Sequence, residues 1–345
     1  MTFRRLAPWV LPLLAGVLAL WWVKVFIDAA QPTDIIWVDW LAYALGAERV
    51  LRGESLYLAE QMVGPYHLPD VTPAGYIYPP PSAILFLPFA IGDAGRIAWL
   101  AANVGLFYSG LAAVLRREFG AVRPLAFALV LLGLLVTIPI PGGVAAPFPN
   151  GVLTANVNVG LAGLLAWCWA AGNRRRWIPY AAGVAGAFKI FPAALVLWAA
   201  RRDGWRSIAV AVAVAGAIAV VTLPVLGLDE WRRFFIALSN AEPTCAGGRA
   251  SIACLTQPLV GTTLDTLVGI AVGVVLLAAS LVVRAEYPAF VLLTAGMLAP
   301  LGDGHHHYLL FAYVIVVIGV ARLVATRLRA AMTARLADAR PNTPR

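Results

Sequence analysis

Four groups of side chains in this 345-residue chain have the types and settings to do chemistry. The first is Asp39, just past the first long apolar run. A carboxylate there can be a solvated loop residue or a helix N-cap. Its setting suggests more. "WLAYALGAERVL" follows it, with Trp40, Ala44, Ala47 and Leu51 near helical spacing, the pattern of an amphipathic helix lying in a membrane interface. At the positive end of that helix, and partly desolvated, Asp39 can take a proton from a hydroxyl.

Lys189 is the second, inside the apolar "GAFKIFP". An ionisable group there is functional by default, with snorkelling to the interface as the alternative. As a point charge it suits a phosphate. The third is "GDGHHHYLL" (302–310), which holds His305, His306 and His307. Neighbouring residues on a helix point about 100° apart and no H-x-x-x-H or E-x-x-H spacing accompanies them, so a metal site is disfavoured. Hydrogen bonds from one or two imidazoles to an anionic headgroup fit better. The fourth is "GYIYPPPS" (75–82), where Tyr76 and Tyr78 precede a stiff proline run. At least one of these tyrosines is expected to be an interfacial anchor, and the prolines to hold one wall of a cleft. Asn156 and Asn158 of "TANVNVG" add uncharged hydrogen bonding, or else helix packing.

These groups need a scaffold, and the composition supplies one. The chain is 61% hydrophobic with mean hydropathy +0.82 and repeated apolar runs, which implies an all-α polytopic membrane protein. The net charge of +9 is nearly all arginine, since Lys24 and Lys189 are the only lysines. The arginines cluster between spans, where they set orientation, so no nucleic-acid partner is expected. With Arg4 and Arg5 inside, the run from about Pro8 to Ile27 reads as an uncleaved first span. Further full spans fit at about 97–115, 124–140, 153–171, 207–226, 265–283, 288–301 and 308–325, making eight, with both termini cytoplasmic. Residues 177–200 have arginines at both ends, and a helical hairpin with its apex at "FKIFP" resolves the conflict. Residues 78–92 read as a short or re-entrant helix at the outer face.

A single transmembrane domain is expected over 1–330, with outer loops at about 28–80 and 227–264 and a disordered tail over 331–345. Of three cysteines, Cys168 reads as a small buried hydrophobe, while Cys245 and Cys254 are close enough in one loop to bridge, or to remain two thiols.

In this topology a carboxylate, a lysine, histidines and aromatics surround a cleft on the outer face. That set suits glycosyl transfer from a polyprenyl-phosphate sugar: a base for the acceptor hydroxyl and cations for the departing phosphate. "VDWLAYALGAERVLRGESLY…YIYPPPSAILFLPFA", with "GAFKIFP", "RRDGWR" and the late "HHHY" in that order, resembles glycosyltransferase family 87, membrane enzymes of the GT-C fold that include mannosyltransferases. The matching positions are Asp39, Tyr43, Gly53, Tyr57, Tyr78, Pro79 and Pro80. The resemblance implies a GT-C-like bundle in a bacterial inner membrane, its active site facing the periplasm or cell exterior. It further implies Asp39 as catalytic base, with Lys189 and one of His305–His307 at the donor phosphate; Tyr43, Tyr76, Tyr78, Asn156 and Asn158 are expected to line the cleft. No cofactor or metal is implied; the partners are a polyprenyl-phosphate hexose, mannose foremost, a lipid or glycan acceptor, and membrane lipids. Two departures stand out: "ANVNV" where the family often has Gly-Gln-x-Asn, and "GDGHHHY" in place of a Ser-Pro-x-x-Trp approach. The rival reading is a transporter or flippase for lipid-linked or anionic solutes.

Overall fold

Asp39 sits in the first turn of α1 (Val38–Arg52), and the start of this helix is fixed from outside. Trp37 takes the left-handed conformation (φ 66°), and its N–H donates to Leu153 O at 2.8 Å. The Asp39 and Trp40 N–H groups donate to Thr154 O at 3.1 and 3.3 Å. First-turn amides that have no partner within the helix are thereby satisfied by a distant loop. At the other end Gly53 (φ 66°) closes the helix, as glycine does where the chain must turn left-handed. Trp40, Tyr43, Ala44 and Ala47 are buried, whereas Leu51 is exposed and Arg52 pairs with Glu48 at 2.8 Å on the outside.

The computed structural model describes residues 17, 37–67, 71, 74–135, 147–172, 175–242, 252–301 and 306–338. The expected first span lies outside them except for Val17, and so do Cys245, the Cys254 side chain and hence their proposed bridge. After α1 come α2 (Ala59–Val63), β1 (Tyr66–His67) and α3 (Pro80–Phe86). Pro80 and Pro81 occupy the first turn of α3, where a missing N–H does no harm. Then follow α4 (Gly92–Phe119), α5 (Pro124–Leu135), α6 (Pro147–Leu153), α7 (Asn158–Ala170), α8 (Ile178–Phe188), α9 (Val196–Asp203), α10 (Trp205–Asn240), β2 (Ala241–Glu242), α11 (Ile252–Val282), α12 (Glu286–Leu298) and α13 (Leu309–Asp338). The two strands form one short parallel pair, Tyr66 opposite Ala241 and His67 opposite Glu242.

Helices α4 and α7 pack backbone to backbone. A Cβ on Gly110 would overlap Gly163 O, and one on Gly163 would overlap the Leu106 carbonyl and Phe107 Cα. Small residues permit such approach between apolar helices. Gly273 of α11 and Gly296 of α12 meet in the same way.

The segment 177–200 is a hairpin. α8 ends at Lys189, which is extended (φ −143°, ψ 140°), and a 3-10 turn over Phe191–Leu195 leads into α9. The chain doubles back far enough for Arg175, before α8, to lie over the ring of Trp198 in α9 at 4.1 Å.

Both feet of the hairpin stand in a cluster of charges and indoles. Glu286 accepts from Arg117 at 2.7 Å and from Arg175 at 2.6 Å. Arg117 covers Trp169 at 4.2 Å, and the rings of Trp169 and Trp198 stack with centroids 5.9 Å apart. Trp169 Nε1 donates to Glu118 at 3.0 Å, and Arg322 lies 3.8 Å from the same carboxylate. Arg201 donates to Val283 O at 2.8 Å, capping the chain end of α11.

Several expectations change. Among the described residues three helices are long and apolar enough to cross a membrane, Gly92–Phe119, Trp205–Asn240 and Leu309–Arg335, and shorter apolar stretches lie at Pro80–Phe89, Pro124–Gly133, Asn158–Ala170, Glu286–Leu298 and within α11 at Leu267–Val282. The spans expected at 153–171 and 288–301 are helices of 13 residues each. At 1.5 Å per residue these reach only ~20 Å against a ~30 Å hydrocarbon core. Of the residues expected as an outer loop, 228–240 and 252–264 are helical: α10 breaks at Gly227 (φ 74°, ψ 167°), just after Pro224, and continues to Asn240, and α11 starts at Ile252. The last helix runs to Asp338, past the expected start of a disordered tail at 331.

Candidate functional site

The segment 153–160, between α6 and α7, gathers the groups singled out by chemistry. It receives α1 through the backbone bonds at Leu153 and Thr154, which set Asp39 beside it. Asn158 Oδ1 accepts from Lys189 Nζ at 3.3 Å. Asn156 Nδ2 faces His307 Nε2 at 3.3 Å, and Asn156 Oδ1 accepts from the Asn158 N–H at 2.9 Å. The two asparagines thus join Lys189 to His307. Helix α4 holds the segment from behind: Trp99 Nε1 donates to Ala155 O at 2.8 Å and Asn103 Oδ1 accepts from Gly160 N–H at 3.2 Å. Trp99 and Asn103 are one helical turn apart and so lie on one face.

Lys189 opens this polar layer to an apolar cavity of about 710 Å³. Its ammonium lies 5.3 Å from the ring centroids of Tyr78 and Tyr308 and 6.0 Å from that of Phe191. Ring faces attract a cation at such distances. The hairpin apex forms one wall with Ile190, Phe191 and Ala194. Phe234 and Leu238 of α10 and Leu277, Gly296 and Met297 of α11 and α12 form others. Among the described lining residues Lys189 and Glu242 carry charge, and Glu242 pairs with His67 at 3.4 Å.

Asp39 is half-buried and does not line this cavity. It stands back from it on α1, four residues before Tyr43 and on the same face. Tyr43 OH donates to Tyr78 OH at 3.0 Å, and Tyr78 is in the cavity wall. Burial pushes the Tyr43 phenol well above its usual pKa, and the Asp39 charge raises it further. For Tyr78 burial acts first, then the Tyr43 phenol, then Asp39. Both therefore stay protonated as hydrogen-bonding groups. Asp39 makes no side-chain hydrogen bond or ion pair with any described residue.

The remaining expected site residues divide. Tyr76 is fully buried against Gly46 and bonded to Ser82, so it is a core residue rather than an interfacial anchor. Tyr78 is buried too, at 3% exposure, with Tyr57 OH donating to its carbonyl at 2.7 Å. Both tyrosines turn inward against α1, Tyr76 on Gly46 and Tyr78 on the ring of Tyr43, which the sequence spacing does not reveal. His307 is buried at 4%; His305 and the His306 side chain lie outside the described residues. Sequence reasoning missed Trp99, Asn103 and Tyr308. Trp99 and Asn103 carry an i, i+4 signal in "RIAWLAANVG"; Tyr308 is the last residue of the histidine motif.

Comparison with known proteins bears on the chain directly. Neither a search of curated proteins nor one of solved structures finds a match. The sequence profile of glycosyltransferase family 87 matches residues 76–302, about two thirds of the chain, which takes in Tyr78, Asn156, Asn158 and Lys189 but ends short of the histidines and begins after Asp39. The apolar helices, the lysine set against a lipid-sized cavity and this match agree: the chain belongs to glycosyltransferase family 87.

Proposed function

We propose that this membrane glycosyltransferase moves a hexose, mannose foremost, from a polyprenyl-phosphate sugar to a hydroxyl of a lipid or glycan, on the outer face of a bacterial inner membrane. The observation that carries the reading is Lys189 at the wall of an apolar cavity, its ammonium set by an amide oxygen and aromatic faces. A cavity of that lining accommodates hydrocarbon, and one cation at its edge meets one phosphate. In the reaction the acceptor oxygen bonds to the anomeric carbon as its proton passes to Asp39. The bond from that carbon to the phosphate oxygen breaks, its electron pair leaves on the polyprenyl phosphate, and Lys189 and His307 meet the charge that develops there. Inversion at the anomeric carbon follows from a single displacement. Tyr43, four residues on from the base along α1, donates to Tyr78 in the cavity wall, and both phenols stay protonated.

The test offers purified protein two donors, a polyprenyl-phosphate hexose and the corresponding nucleotide sugar, with a lipid acceptor in vesicles. Transfer from the lipid-linked donor alone is the expected result. Transfer from the nucleotide sugar in the absence of any polyprenyl phosphate would overturn the donor assignment.

A further inference from the structure

The Asn156 side chain lies between two groups whose chemistry decides its orientation. The Asn158 backbone N–H, 2.9 Å away, can only donate, so the amide oxygen of Asn156 must face it. Its NH₂ group is then left facing His307 Nε2 at 3.3 Å. An NH₂ group donates and does not accept, so this contact is a hydrogen bond when Nε2 carries a lone pair. Turning the amide round would set its NH₂ against the Asn158 N–H, two donors face to face with Asn156 2% and Asn158 0% exposed.

We propose that Asn156 is a positioning residue that holds His307 in the neutral tautomer protonated at Nδ1. His307 then meets the donor phosphate as an uncharged N–H donor, and the positive charge comes from Lys189. The claim about phosphate rests on the glycosyl-donor reading above; the claim about the tautomer does not. The bonds form one directed series. The lysine ammonium donates to Asn158 Oδ1, the Asn158 N–H donates to Asn156 Oδ1, and Asn156 Nδ2 donates to His307 Nε2. An imidazolium would place an Nε2–H against the Asn156 NH₂ and break the series. The Asn156 amide and, with centroids 4.8 Å apart, the ring of Tyr308 both face the imidazole.

The experiment uses full-length protein with ¹⁵N-labelled histidine in lipid nanodiscs, without substrate. Four histidines contribute signals, and the His307→Gln protein identifies which is His307. The wild type is expected to show a protonated Nδ1 and a bare Nε2 from pH 6 to pH 8. In Asn156→Asp a carboxylate faces Nε2, so Nε2–H should appear and the ring should titrate at higher pH. An Nε2–H tautomer or an imidazolium in the wild type at pH 7, or an unchanged His307 spectrum in a folded Asn156→Asp protein, would sink the proposal. Should that variant fail to fold, the wild-type spectrum decides alone. Failure of sugar transfer with the expected tautomer present would count against the donor reading and leave the positioning role standing.

Discussion

The two ends of the helical bundle handle charge in opposite ways. At one end Arg117, Arg175 and Arg322 meet Glu118 and Glu286, Arg201 donates to the carbonyls that end α11, and indole faces cover the guanidinium groups. Each ion there is answered from within the protein. Toward the other end of the bundle, ~29 Å along α4 from Glu118 back to Trp99 at about 1.5 Å per residue, Trp99 and Asn103 support the site. There Lys189 donates to an amide oxygen and lies near three ring faces, and the Asp39 charge is felt by the Tyr43 and Tyr78 phenols. Ion pairs of the first kind hold helices together; a lysine at the wall of an apolar cavity stands where a ligand can meet it. The first end ties helices to one another, and the second is the candidate site.

Substitutions sharpen this contrast. The largest effect is expected for Asp39→Asn, which keeps shape and removes the base: kcat for sugar transfer should fall roughly 10²- to 10⁴-fold with thermal unfolding unchanged. A full-rate variant would break the assignment of chemistry to that end. Next, Lys189→Met should raise the donor KM roughly 10- to 100-fold, the worth of one charged hydrogen bond, as measured in steady-state kinetics. If KM stayed put, the cavity would have to take its phosphate elsewhere. At the architectural end Glu286→Gln leaves Arg117 and Arg175 sharing a neutral amide. Because the glutamate side chain is 34% exposed, the loss is expected to be roughly 2 kcal/mol, seen as a lower unfolding midpoint with kcat and KM unaltered. A kinetic defect without a stability defect would erase the distinction between the ends. The smallest effect belongs to Arg52→Ala, which breaks only the exposed pair with Glu48; less than about 0.5 kcal/mol should be lost.

What could be read beforehand was whatever a single segment encodes. The hairpin followed from arginines at both ends of one apolar run with Pro192 in its middle, and the start of α1 followed from the spacing after Asp39. What could not be read was contact between segments. Glu118 and Glu286 stand inside basic stretches, "RREF" and "RAEY", and the sequence reading gave those stretches to membrane orientation alone. That these two carboxylates draw four helices to one point depends on packing. The same is true of "TANVNVG": hydrogen-bonding capacity was evident, whereas its role as the meeting place of α1, Lys189 and His307 arises from pairings across as many as 151 residues. Tyr76, expected to line the cleft, is instead wholly buried and outside the cavity wall, since aromatic residues near a membrane boundary look alike whether they face a cleft, headgroups or core.

The hairpin has a metrical consequence. Its feet are fixed by Arg175 and Arg201, and its rising arm, α8, is eleven residues long, so the lysine at its tip is set at a height of ~16 Å above those feet. One residue more or fewer in α8 would turn that tip by about 100° and shift it ~1.5 Å, carrying the ammonium off Asn158 while every anchoring contact below stayed intact. The segment is a gauge, and what it encodes is a length and a phase.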